Sequence, residues 1–171
     1  TTTDGGFSAV CHVTVVRHYI SPDRKVKSVG EVCTITSTIT PETLSDFTCT
    51  WTSSDPTVLE IDASTATTTV QKPVVKYSTK KAGVSVITGT TKVGGAFCTY
   101  TVTVVSVSLN KTSLSLTAGS SQTLQATVSP TQTSDGTSLS VTWASNDNSV
   151  ATVNASGKVV AVGPGTAEIT A

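Results

Sequence analysis

Methionine is absent from the 171 residues, only 13% are charged, and neither sign of charge gathers into a long run. Eleven basic residues balance eleven acidic ones, so nothing here would attract a nucleic-acid backbone or an anionic membrane surface. Nucleic acid is therefore not an expected partner. No apolar run approaches the roughly 20 residues that cross a bilayer, and no basic segment with an apolar core opens the chain. A mature or excised piece without a membrane span is expected. The motifs of chemistry are missing too: there is no Cys-x-x-Cys, no Gly-x-Ser-x-Gly and no regular Asp-x-Asp-x-Asp-Gly loop. Zinc or redox sites, a hydrolase elbow and an EF-hand thus lose their sequence support. No enzyme activity and no cofactor are expected.

What the chain has in abundance is Thr, Ser and Val. Side chains branched at Cβ are stiff at χ1 and suit a pleated, half-buried surface, so the composition is that of an all-β protein. The length suits two sandwiches of about 80–100 residues each. Four cysteines in a helix-poor, Thr/Ser-rich chain fit an oxidising, extracellular setting.

The chain repeats itself. "SVGEVCTITSTITP" (28–41) lies over "TAGSSQTLQATVSP" (117–130), with Gly30 on Gly119 and Pro41 on Pro130. "WTSSDPTVLEID" (51–62) lies over "WASNDNSVATVN" (143–154), and "AGVSVITG" (82–89) over "PGTAEITA" (164–171). The first copy carries about ten extra residues within 64–81, by the alignment of these three blocks. It then continues "TTKVGGAFCTYTVTVV" (90–105), for which the second copy has no sequence after Ala171. The missing piece stands at the other end: "TTTDGGFSAVCHVTVV" (1–16) matches 90–105 without a gap.

The second copy resembles the bacterial immunoglobulin-like domain, group 2, found in surface and phage structural proteins. The resemblance rests on its Trp-x-Ser-x-Asp, its Val-Asn-x-x-Gly-x-Val and its closing Gly-Thr-Ala-x-Ile-Thr-Ala. It covers 106–171 closely, and 17–105 more loosely. Two tandem Ig-like β-sandwich domains are implied, with fold specified more firmly than activity.

Alternation along the strands leads to the same architecture. It puts Ile35 and Ile39, Cys49 and Trp51, Val84 and Val86, then Cys98, Tyr100, Val102 and Val104 on core faces. In the second copy it selects Leu124, Ala126 and Val128, then Leu139, Val141 and Trp143, then Ala167, Ile169 and Ala171. Turn signals such as Asp4-Gly5-Gly6, Asp135-Gly136 and Gly163-Pro164-Gly165 separate these runs.

The expected division is a strand segment at 1–16, a domain at 17–105 with its insert at 64–81, and a domain at 106–171 that lacks its last strand. Residues 1–16 are expected to complete the 106–171 domain of a neighbouring copy, head to tail, in separate subunits or in a covalent array. The interface would use Phe7, Ala9, Cys11, Val13 and Val15 against Ala167, Ile169 and Ala171. Full burial of Phe7, Val13 and Val15 is worth about 1.5–3 kcal/mol each, which in sum rivals the ~5–15 kcal/mol stability of a domain.

Other residues carry weaker expectations. Cys49 and Cys98 are the preferred disulfide, one of three connectivities that the sequence leaves open; Cys11 and Cys33 are small buried hydrophobes or a bridge. His12 and His18 are expected on solvated strand faces. Asp55, Glu60, Asp62 and Asp147 are read as turn-forming or capping carboxylates before calcium ligands. Lys72, Lys76, Tyr77, Lys80 and Lys81, on the insert, are candidate surface contacts. The expected function is a structural unit of an extracellular, cell-surface or virion-surface fibre, with other copies of itself as partner. The rival is an adhesin that binds a receptor or glycan, and a third reading is a spacer beside a distant enzyme.

Overall fold

A computed structural model describes residues 10–171. The first sandwich runs through β1 (Arg17–Ile20), β2 (Arg24–Ser28), β3 (Val32–Thr40), β4 (Cys49–Ser53), β5 (Leu59–Ile61), β6 (Thr67–Thr68), β7 (Val74–Thr79), β8 (Gly83–Thr91) and β9 (Phe97–Leu109). One sheet has the order β1-β3-β7-β5; the other has β9-β8-β4-β6, with β2 lying parallel to β9. The second sandwich begins on the same β9, which pairs with β11 (Ala126–Ser129). It continues with β10 (Ser121–Thr123), β14 (Lys158–Ala161) and β13 (Ala151–Val153) in one sheet, and with β12 (Ala144–Ser145) paired to β15 (Ile169–Thr170). The fold is all-β, and the described residues include no helix.

Strand pairing repeats as the sequence does. His18↔Ile39 in β1–β3 becomes Val107↔Val128 in β9–β11. Cys33↔Tyr77 becomes Gln122↔Val159, Leu59↔Thr79 becomes Ala151↔Ala161, and Thr52↔Thr88 becomes Ala144↔Thr170. The turn before β5 is copied in detail. Asp55 Oδ1 accepts from the backbone N–H and hydroxyl of Thr57, and Asp147 Oδ1 does the same with Ser149. Asp62 treats Ser64 alike, so these carboxylates fold turns, as short polar side chains do when they mimic a backbone turn.

The first core is continuous. Ile39, Leu59, Val75, Ile87, Val102 and Val104 are wholly buried, with Trp51 and the tyrosines Tyr77 and Tyr100 packed among them. One strand departs from the expected parity. In β8 the inward residues are Ser85 and Ile87, both fully buried, whereas Val84 is 42% exposed and Val86 half-buried. The shift is tolerated because the Ser85 hydroxyl is satisfied by Ser53 Oγ at 2.9 Å and by the Asp55 N–H at 3.2 Å, which removes the desolvation cost of a buried polar group. Since the 13-residue β9 pairs with β8 through its first part and with β11 through its last, the expected boundary at 105/106 falls inside a strand. Ser134 N–H donates to Thr103 Oγ1 at 3.3 Å, and Arg24 meets Asp135 across the same junction.

Candidate functional site: an open strand slot

In the first sandwich, β9 is held on two sides. It is antiparallel to β8, with Gly83↔Val104, Ile87↔Tyr100 and Gly89↔Cys98, and parallel to β2, with Arg24↔Thr101 and Ser28↔Val105. Apart from β4–β6, whose second strand lies in the insert, every other pairing has its counterpart in the second sandwich, but among the described residues these two have none. The segment equivalent to β2, Ser113–Thr117, lies in no strand. Between it and 163–169 opens a groove of about 930 Å³. Lys111–Leu116 form one wall, Gly163–Ile169 the other, and Leu124, Val159 and Ala161 are part of the floor. The same three are the only buried apolar side chains of the second sandwich among the described residues, against thirteen in the first core. A sheet whose edge lies open beside exposed core is a template for another strand.

Residues 101–171 match the bacterial Ig-like domain, group 2. These residues are a bacterial Ig-like domain of that group. An uncharacterized protein of Clostridium acetobutylicum is 31% identical over 148 residues, which are 84% of this chain and 14% of that protein. The chain thus spans about 14% of the length of this curated relative. Among solved structures the chain is similar to the S-layer protein rSbsC, at TM-score 0.43 and 11% identity, covering 92% of this chain and 21% of that one, and to the D0-D1 domain of intimin, at TM-score 0.38 and 16% identity, covering 91% and 90%.

Of the residues expected at the interface, Ala167 and Ile169 line the groove of the Ig-like domain, and Ala171 is half-buried beyond β15. Cys11, Val13 and Val15 lie in no strand; Val13 and Val15 are each 79% exposed. Phe7 and Ala9 fall outside the described residues.

Sequence reasoning missed a buried polar cluster in the first sandwich. His18 is 6% exposed and not solvated, because β1 turns it inward opposite Ile39. Its Nδ1 lies 3.1 Å from the Gly89 carbonyl, an obligate acceptor, so Nδ1 carries the proton; Nε2 then accepts from Ser37 Oγ at 2.8 Å. Burial lowers the His18 pKa below 6.5, opposed in part by the Gly89 hydrogen bond. The Cys98 and Cys49 sulfurs lie 3.3 and 3.9 Å from the two ring nitrogens. Both thiols are free, and burial pushes them up to about 11 and about 12 respectively. The expected disulfide is absent because β8 stands between β4 and β9. Two strand spacings, about 9.5 Å, exceed the ~7 Å between Cα atoms that a bridge can span. In the Ig-like domain the places of His18, Ser37 and Cys49 are taken by Val107, Ala126 and Val141, so the cluster belongs to the first sandwich alone.

The insert also needs redrawing. Tyr77 is 1% exposed, on the inward face of β7 against Tyr100, and offers no surface contact. Because β7 is the counterpart of β14, the true excess lies before it. Lys72, Lys76, Lys80 and Lys81 are exposed; Lys76 sits 3.8 Å from Asp62, and Lys80 pairs with Glu60.

Proposed function

We propose that this chain is a structural repeat of an extracellular or surface fibre, a rod of Ig-like sandwiches in which each unit completes the one before it. Residues 9–16 of the next unit enter the groove of 106–171 as its final strand, donated by a separate subunit or delivered within a covalent array. The observation that carries this reading is the slot: among the described residues no strand pairs between the segments equivalent to β2 and β8, and residues 1–16 repeat, without a gap, the stretch 90–105 whose strand fills that place in the first sandwich. A strand shared between consecutive sandwiches, as β9 is, makes a stiff joint with no linker. A head-to-tail contact of this kind does not close on itself and so propagates into a fibre. Binding of a receptor or glycan through the exposed lysines near 64–81 is the alternative.

The test is the mass distribution of 1–171 and of 17–171 as concentration rises. The longer chain is expected to form open-ended oligomers and the shorter one to remain monomeric. Two folded monomers would refute strand exchange, and glycan or cell binding by those monomers, lost on changing Lys72 and Lys81, would establish the alternative.

A further inference from the structure

The slot's own geometry specifies which strand it takes. Carrying the register of β9 across the repeat sets Val15 opposite Gly165, Val13 opposite Ala167, Cys11 opposite Ile169 and Ala9 opposite Ala171. On the other wall, His12 lies beside Ser113 and Val16 beside Thr117. The inward positions are then Ala9, Cys11, Val13 and Val15, the counterparts of Cys98, Tyr100, Val102 and Val104, all four buried.

At the counterpart of Cys11 the two sandwiches differ in kind. Tyr100 faces Tyr77 with ring centroids 6.4 Å apart, and both line a cleft with Lys25, Lys27 and Cys33, so their polar ends meet polar company. In the second sandwich Val159 replaces Tyr77, Gln122 replaces Cys33, and Leu114 and Leu116 stand where Lys25 and Lys27 do. Leu114, Leu116 and Val159 all line the slot. A tyrosine there would bring a bulky ring and a hydroxyl against leucine and valine, where an unpaired polar group is penalised.

The chain's own residues 9–16 cannot reach this slot. Val16 packs beside Gly94, in the turn that precedes β9, and β1 starts at the next residue. The 13 residues of β9 carry the chain about 43 Å from that turn, and the final strand of the second sandwich must end farther away still.

We infer, building on the head-to-tail reading, that the slot takes residues 9–16 of a second copy in this register and selects them by the small residue at Cys11, rejecting a strand with tyrosine there, such as 97–105. The chain's two final strands are therefore not interchangeable, which keeps a growing rod from pairing out of phase.

The experiment takes the full chain, with Val13→Asp in its own N-terminal segment to keep that segment out of other copies' slots, and extends it after Ala171 with one of four tails: residues 1–16, the same with Cys11→Ala, the same with Cys11→Tyr, or residues 90–105. Amide exchange at 113–117 reads strand docking. The natural and Cys11→Ala tails are expected to protect these amides, and the two tyrosine-bearing tails to protect them at least ~10-fold less, the factor for one lost buried-group interaction. Equal protection by the tyrosine tails would overturn the selection while leaving the head-to-tail reading intact. No protection by the natural tail would overturn that reading and the inference with it.

Discussion

Gly89 sits under the indole of Trp51, and the closeness of that contact makes a quantitative prediction. A Cβ at this position would lie 2.5 Å from Cζ3 and 2.6 Å from Cη2 of Trp51, and 2.8 Å from Cε1 of His18. Carbon atoms in contact prefer about 3.5–4.0 Å, so Gly89→Ala demands roughly 1 Å of movement from two rings that are themselves buried. Overpacking of this kind costs about 1–3 kcal/mol. Trp51→Phe removes the benzo ring carbons that the new methyl would strike, at the price of a cavity that the methyl then partly fills. The double variant should therefore be more stable than the sum of the single effects, by a coupling within about 0.5–3 kcal/mol for touching residues. Urea unfolding of the first sandwich, followed by far-ultraviolet circular dichroism, measures all four corners of the cycle. A neutral Gly89→Ala, or additivity within about 0.5 kcal/mol, would refute the packing argument. The second sandwich offers an internal contrast: Ala171 holds the equivalent place, and Trp143 instead lies over Gly157, where a Cβ would come within 2.8 Å of Cζ2.

Two further predictions concern the polar cluster and the thiols. Because His18 is held neutral with a lowered pKa, acid charges the unfolded chain first; stability should be level above pH 6.5 and fall as pH drops below it. The double change His18→Val with Ser37→Ala, which copies Val107 and Ala126, should flatten that slope in urea midpoints measured from pH 7 to pH 5; an unchanged slope would place its origin elsewhere. With a thiol reagent on dilute native protein, Cys11 should label rapidly and Cys49 and Cys98 only on unfolding, as peptide mass spectrometry would read. Fast labelling of Cys98 would contradict its burial beside His18.

Much of the fold was legible because two signals agree. Alternation assigns core faces, and the repeat fixes which strands correspond, so Ile35, Trp51, Tyr100 and Val104 fall on core faces by sequence and are buried in the structure. The misplaced Ser85 and His18 share a physical cause, which is polar side chains buried with partners from distant strands. In β8 the valines at 84 and 86 outweighed Ser85, whose hydroxyl finds Ser53 and Asp55 only after folding. The counterpart of β8, where alternation puts Ala167 and Ile169 inward, carries the observed parity in the sequence itself. His18 could not be recovered that way. Its counterpart is Val107, and its partners Ser37 and Gly89 are 19 and 71 residues away. The slot itself was foreshadowed by the gapless match of 1–16 to 90–105, yet its walls required the parallel pairing of β2 with β9, which no alternation pattern encodes.

The central claim is the docking of one copy's strand opposite β15 of another, and disulfide trapping addresses it directly. Ile169→Cys places a thiol opposite the natural Cys11 in the inferred register. Mild oxidation should then yield a ladder of covalent dimers, trimers and longer species on a non-reducing gel, abolished by adding Cys11→Ala. A gel that shows only monomer, or a ladder that survives Cys11→Ala, would contradict the account.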